Sequence, residues 1–353
     1  MTQVRVTKES LLTFATACFA KAGAEATIAK TMAESLLWGD LLGFRTHGMR
    51  RLPYNVKQLQ SGAARGEGSV QVLNSRAAVE TWDANGLPGL FVAPQAVEKA
   101  CTMALHAGTG TVVVRRCEHV ASLAAYLQIA TDRGLLVNLM AATPAQSSVA
   151  PAGSSSRVFS PNPYAIGVPT NGAPLLLDMS FSVTAAGKIR QAYDRNELLP
   201  WPAIVTKTGE ITNNPKAYIE EGGAILPLGG ADLGYKGYGL CLQSELWTLG
   251  LSGYGRAEAV ADGEQNTFFV QVIDPEAFAG KAAFVRVAED LLTRCLDAQP
   301  IDSSQPVRIP GSGALANFQE QTERGVLLDE LTWPRLQHCA KKLGVESPAV
   351  LGL

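Results

Sequence analysis

Between Gly43 and Pro53 the chain sets a hydroxyl (Thr46), an imidazole (His47) and two guanidinium groups (Arg50 and Arg51) within six residues. Only four histidines occur in the 353 residues. Imidazole exchanges a proton most readily near neutrality, and a guanidinium four positions on can hold a carboxylate through two parallel hydrogen bonds. The set suits acid–base chemistry on an anionic organic acid. It also reads as a capped helix end, because Gly43 and Gly48 punctuate the chain after the apolar run 26–42, and paired arginines on a loop are commonly just solvated. Spacing alone leaves both readings open.

Further residues separate them. Thr46-His47-Gly48, then Arg51-Leu52-Pro53-Tyr54 and Gly62, resemble the Ser-His-Gly…Arg-Leu-Pro…Tyr…Gly signature of the type-2 malate/L-lactate dehydrogenase family. Other landmarks keep the family's order: Arg115 to His119, Thr143, Pro151, Asn162-Pro163, Leu177-Asp178-Met179, Gly187-Lys188-Ile189, Pro227 to Gly230 and Lys236 to Leu240. The resemblance covers nearly the whole chain. It implies an α/β fold in which a non-Rossmann NAD(P)-binding mixed-sheet domain, residues 69–296, is joined to an α-helical domain formed from both terminal segments, 1–68 and 297–353. It also implies NADH or NADPH as cofactor, a small carboxylate as substrate, and a homodimer.

The roles it implies make chemical sense. His47 would donate or accept the proton, with Thr46 orienting it, while Arg51, Thr143 and His119 contact the substrate. Asp178, Met179 and Ser180, at the end of an apolar strand, would lie along the cofactor, as ligands often do at strand ends. Tyr235 and Lys236 precede a glycine-rich helix start suited to a phosphate, and Gly311, Ser312 and Gly313 stand where the family has a cofactor contact. Taken without the resemblance, Asp178 is more simply a satisfied turn carboxylate and Lys236 a surface lysine. No metal is implied.

Departures from the family pattern fall around the substrate. Thr46 replaces Ser and keeps the hydroxyl. Cys117-Glu118-His119-Val120-Ala121 stands where the family usually has Ser-Asn-His, an aromatic residue and Gly. Trp is missing after Pro151, Pro144 follows Thr143 where Asn is frequent, and Ser160 replaces a Gly. The added carboxylate of Glu118 and the lost aromatic bulk point to a cyclic imine carboxylate or a larger 2-oxo acid rather than plain malate or lactate. A non-catalytic, metabolite-binding homologue is the alternative.

Other chemistries lack their residues. The chain has no Gly-x-Gly-x-x-Gly, no phosphate-binding Gly-x-x-x-x-Gly-Lys-Ser/Thr and no Gly-x-Ser-x-Gly. His47, His106, His119 and His338 are not paired at helical spacing, and Cys117-Glu118-His119 is too compressed for a tetrahedral metal site. His106 and His338 are expected on helix surfaces. Thirty Lys and Arg against 32 Asp and Glu, without a basic block, argue against nucleic acid or an anionic membrane as partner. The six scattered cysteines read as free thiols of a reducing compartment, so a cytoplasmic protein is expected. Residues 11–20 imitate the apolar core of a secretory signal but read better as a helix capped by Thr7, and no run is long enough to span a membrane.

The elements that must position these residues follow from periodicity. With 46% hydrophobic and 18% charged residues the chain can bury a large core. Ile28, Met32 and Leu36 mark a helix in a mainly helical stretch reaching Leu59, and strands near Val70, Val72 and Val79 lead to a turn at Asp83–Gly86. Then come a helix over 88–106, a strand over 111–114, a helix over 121–133 and a strand over 135–141. Residues 143–163 form a long loop expected to wall a pocket. Strands at 164–168 and 175–178, a helix to about 251, a strand over 267–273, a helix over 275–296 and a last helix capped at Thr332 complete the chain.

Overall fold

The computed structural model describes residues 3–259 and 263–351. Ile28, Met32 and Leu36 are at most 1% exposed, because helix Ala26–Leu41 turns them onto helix Lys8–Lys21. That first helix starts at Thr7, whose hydroxyl accepts the Ser10 amide at 3.1 Å, as its sequence requires. Helix Leu52–Ser61 follows the signature loop and stops at Gly62, which adopts the left-handed φ of 75°.

Thirteen strands are described: β1 (Val4–Val6), β2 (Gln71–Arg76), β3 (Val79–Asp83), β4 (Thr109–Cys117), β5 (Leu136–Ala142), β6 (Pro163–Val168), β7 (Leu175–Ser180), β8 (Ile204–Val205), β9 (Ile211–Thr212), β10 (Ala224–Ile225), β11 (Asn266–Ile273), β12 (Val326–Leu328) and β13 (Val350–Leu351). Seven build a mixed sheet in the order β2-β3-β4-β11-β5-β6-β7. β3 and β4 are parallel, connected by helix Gly89–Ala107, and the other neighbours are antiparallel. Pro94 sits inside that helix and cannot donate to the Leu90 carbonyl; the buried Ser35 hydroxyl does so instead, at 2.7 Å. One hydrophobic cluster runs from the terminal helices through this helix into the sheet, joining Leu11, Leu36, Leu90, Val112, Phe268 and Leu336.

The terminal segments meet in a second sheet, β12-β1-β13. Both were expected to be helical; strands of two or three residues are too short to show a period of two. Helix Ser312–Arg324 packs on Ala26–Leu41 with the Trp38 and Phe318 rings stacked at 4.9 Å. Helix Thr332–Leu343 buries Leu336, Cys339 and Ala340 against the two N-terminal helices Lys8–Lys21 and Leu52–Ser61, which supplies the partner surface its apolar face needs.

Local differences from the sequence reading have identifiable causes. The β2–β3 hairpin turns at Ala77-Ala78, while Asp83–Gly86 leads into the long helix, so Asn85 and Gly86 supply positive φ for a strand exit rather than a hairpin. Residues 121–133 form two short turns of helix, Leu123–Tyr126 and Gln128–Thr131. The helix expected from Pro275 begins at Lys281, after Gly280. Asp329, not Thr332, caps the last helix by accepting the Leu331 and Thr332 amides at 3.1 and 2.7 Å.

Candidate active site

His47 lies on two single turns of helix, Arg45–His47 and Met49–Arg51, wedged between helices Ala26–Leu41 and Leu52–Ser61. Three small or polar residues fix this loop. Gly43 takes φ 89°, and a Cβ there would lie 2.5 Å from the Asn317 side chain. Gly48 passes directly over Asp40, so that a Cβ would fall 2.3 Å from its carboxylate. Asp40, 2% exposed, accepts the Met49 amide at 2.6 Å. Gln321 then bridges the Asp40 carbonyl (2.8 Å) and the Leu327 amide (2.7 Å), tying the loop to the C-terminal segment.

Around His47 the expected residues gather. Thr46 Oγ1 lies 2.9 Å from His47 Nδ1, which leaves Nε2 for a ligand. The His47 and His119 rings face each other, 5.8 Å between centroids and 24° between planes. The Ala121 amide donates to His119 Nδ1 at 2.9 Å, so neutral His119 carries its proton on Nε2. Burial, reinforced by the Arg51 charge, pushes His47 down to about 4; the same causes, with His47 itself, hold His119 well below the usual histidine value. His47 therefore lies below the range near neutrality in which imidazole ordinarily exchanges its proton.

Arg51 sits over the Tyr54 ring, 4.6 Å from its centroid, and its Nη2 donates to Glu264 at 2.7 Å. Its Nε is buried without a partner among the described residues. Thr143 joins the site through Asn266, whose amide donates to Thr143 Oγ1 at 2.8 Å while its Oδ1 accepts the Val120 amide at 3.0 Å. A β-bulge between Asn266 and Phe268, where β11 pairs with β4, accompanies this double reach.

The cofactor candidates divide. Asp178, Gly311, Ser312 and Gly313 line one cavity of about 540 Å³, together with Ala124 and with Phe44 from the His47 loop. Asp178 Oδ2 accepts Ser122 Oγ at 3.1 Å and the Ala124 amide at 2.8 Å, and burial raises its carboxyl to about 6. It is thus a satisfied carboxyl and a cavity wall at once. Gly311 has φ 93° and lies so close to Leu176 that a Cβ would be 2.6 Å from the Leu176 carbonyl, and it opens helix Ser312–Arg324 toward the cavity. Met179 packs into a separate core cluster, and the Ser180 hydroxyl pairs with Ser182 at 2.9 Å. Tyr235 and Lys236 lie exposed on helix Gly230–Glu245, away from the cavity lining.

Sequence reasoning missed Asp40, Gln58, Glu264 and Asn266. Asp40 had a signal, an acidic residue in the otherwise apolar run Leu36–Leu42. Glu264 and Asn266 had none, since they lie in a polar stretch and act through a pairing 213 and 123 residues away.

A sequence profile described as malate/L-lactate dehydrogenase matches residues 6–337. The malate dehydrogenase of Pyrococcus abyssi is 28% identical over 350 residues, covering 97% of this chain and 96% of its own. Among solved structures, the malate dehydrogenase of Pyrococcus horikoshii OT3 is similar with a TM-score of 0.88 at 26% identity, covering 98% of this chain and 97% of that one. The delta1-piperideine-2-carboxylate reductase of Pseudomonas syringae pvar. tomato is similar with a TM-score of 0.84 at 26% identity, covering 95% and 99%.

Proposed function

Because the chain belongs to the malate/L-lactate dehydrogenase family, we propose that it is an NAD(P)H-dependent oxidoreductase that reduces a small 2-oxo or cyclic 2-imino carboxylic acid, or oxidises the corresponding 2-hydroxy or 2-amino acid. The observation that carries this reading is the facing pair His47 and His119 beside Arg51, connected through the segment Glu118–Ala124 to the cavity that Asp178 walls. That cavity fits a dinucleotide: Arg308 and the open N-terminus of helix Ser312–Arg324 suit phosphate, and a side chain at Gly311 would close the approach. The bound cofactor supplies or takes the hydride.

The chain's own residues handle the proton and the carboxylate. Arg51 releases Glu264 and takes the substrate carboxylate. The substrate carboxylate adds a negative charge beside Arg51 and offsets one of the two causes that depress His47, so its proton affinity rises when substrate is bound. His47 Nε2 then gives a proton to the developing oxyanion or amine, with Thr46 holding Nδ1. His119 Nε2 donates a hydrogen bond to the same group, and Thr143 contacts the substrate.

The protein is further proposed to be cytoplasmic and a homodimer. Five of its six free cysteines are buried, and no helix among the described residues is long and apolar enough to cross a membrane. Leu242, Leu246, Trp247 and Leu251 are 40–61% exposed along one stretch, which a second copy would cover. The deciding assay follows oxidation of NADH and NADPH over a panel of 2-oxo acids, pyrroline-2-carboxylate and piperideine-2-carboxylate. Turnover of at least one acid is expected, and none with either cofactor would sink the reading.

A further inference from the structure

Arg51 is surrounded by more negative charge than an anion anchor requires. Glu264 holds its Nη2 at 2.7 Å, and Glu118 lies within Coulombic reach of both Arg51 and Glu264. Glu118 is 5% exposed, yet Gln58 Nε2 reaches its Oε2 only at 3.4 Å. Gln58 also donates to Tyr54 OH at 2.9 Å, so Glu118 belongs to the same shell that carries the Arg51 guanidinium. Burial holds His47 and His119 neutral. Arg45 and Arg50 do not restore the balance, because they act on Asp40 and Asp329. One guanidinium therefore faces two carboxyl groups, of which Glu118 is shifted by burial toward its neutral form, while the Nε of Arg51 is left without a partner among the described residues.

We infer that Glu118 and Glu264 select a substrate whose carboxylate is accompanied by a protonated nitrogen, an iminium or an ammonium, and reject one with a second carboxylate. The inference rests on the reductase reading above. A carboxylate arriving at Arg51 adds negative charge to a shell that already sets two carboxyl groups against one cation, and pushes Glu118 further toward its neutral form. A protonated nitrogen beside it cancels that excess and gives Glu118, which Gln58 and Gln265 supply only with neutral amide donors, a charged donor that stabilises its ionised form; a second carboxylate deepens the excess. Burial makes the difference count, since charges inside a site are screened far less than those on a surface.

The test compares kcat/KM for piperideine-2-carboxylate, 2-oxobutanoate and oxaloacetate in wild type, Glu118→Gln and Glu264→Gln, each checked for folding by thermal melting. Alongside it, the melting-temperature shifts produced by oxamate and by oxalate are measured with cofactor present. Wild type is expected to favour the imine over 2-oxobutanoate and both over oxaloacetate, and Glu118→Gln to narrow the imine-to-oxaloacetate ratio by about tenfold or more. Oxamate should stabilise wild type more than oxalate, with a smaller gap in the variant. A preference for oxaloacetate in wild type, or an unchanged ratio in folded Glu118→Gln, overturns the inference and leaves the reductase reading standing. If no acid is turned over, the reductase reading falls, and the oxamate–oxalate gap alone decides whether the carboxylates select charge. Should Glu118→Gln fail to fold, Glu264→Gln must narrow the ratio in the same direction, and an unchanged ratio there refutes the claim.

Discussion

His47 and His119 face each other from loops built differently. On the His47 side, the left-handed position is Gly43, the tight crossing is Gly48, and a buried carboxyl grips the Met49 amide. On the His119 side, two residues with side chains occupy the left-handed region, Arg116 at φ 54° and Ala121 at φ 56°. Arg116 is held there by a fork onto Asp83 at 2.7 and 2.9 Å, and Ala121 by its hydrogen bond to His119. Residues kept in sparsely populated backbone regions mark places where the surroundings over-determine the chain, commonly at functional sites. Under the proposed function the contrast gives the loops separate tasks: the relaxed loop serves the proton chemistry, and the strained loop, with its buried Glu118, the choice of substrate.

The comparison breaks most readily at His47. His47→Ala should lower kcat by about 10²- to 10⁴-fold, with cofactor binding nearly unchanged, because the proposed role of the imidazole is at the oxyanion and not at the dinucleotide. Rates within a few-fold of wild type in the purified, folded variant would move the proton chemistry to the other loop. The titration adds a sign. Since free His47 is pushed down to about 4, its protonated form is scarce at neutrality and grows as pH falls. Reduction measured as kcat/KM should therefore rise as pH drops from 8 toward 5, whereas oxidation, which needs the neutral ring, should stay level over that range. A midpoint at 6.5 in both directions would contradict the burial of this ring.

Arg51→Lys comes next. An ammonium keeps the charge but cannot reproduce the planar fork, so KM for the carboxylate substrate should rise by about ten- to a hundredfold while kcat falls less. Unchanged kinetics would put the anion site elsewhere, with Arg45 and Arg50 the next residues to replace.

Asp40 tests the quality of the relaxed loop. Burial raises its carboxyl from 3.8 to about 7, so the folded chain binds this proton more tightly than the unfolded chain does. Its burial is therefore harmless below the unfolded value of 3.8, and the cost to stability grows as pH rises from there to about 7 and is level above. Asp40→Asn retains an acceptor for the Met49 amide and has no charge to bury. Relative to wild type it should gain stability between pH 4 and pH 7, by at most about 4 kcal/mol, and keep that advantage at higher pH. Melting curves at the two pH values check this, and a constant difference between the proteins would remove the claim.

The relaxed loop was the legible one. Thr46, His47, Gly48 and Arg51 are neighbours in sequence, and their glycines announce the backbone they need. The helices that carry them showed in the spacing of Ile28, Met32 and Leu36, and the central strands in their apolar runs. What stayed hidden depends on partners distant along the chain: Glu264 on Arg51, Asn266 between Thr143 and Val120, Gln321 under Asp40. Short strands such as β1 and β13 were hidden for a related reason, since pairing and not pattern makes them strands. The departure at residues 117–121 was visible in the sequence, but not that Ala121 would take a glycine's conformation.

That last residue gives the smallest and most discriminating test. A residue with a Cβ at φ 56° costs about 1–2 kcal/mol relative to the right-handed regions. Ala121→Gly relieves that cost, offset partly by the greater freedom of glycine in the unfolded chain, so a net gain of up to about 1 kcal/mol is expected, or about 1–2 °C in Tm. If strain were incidental, activity would follow stability or stay constant. If the strained loop serves to aim His119 and Glu118, the more permissive glycine should loosen that aim, so that kcat/KM for the best acid falls a few-fold while Tm rises. Opposite movement of the two quantities supports the division of labour between the loops. A rise in both, or a fall in both, means that Ala121 is merely tolerated and that specificity resides in the side chains of Glu118 and Glu264 alone.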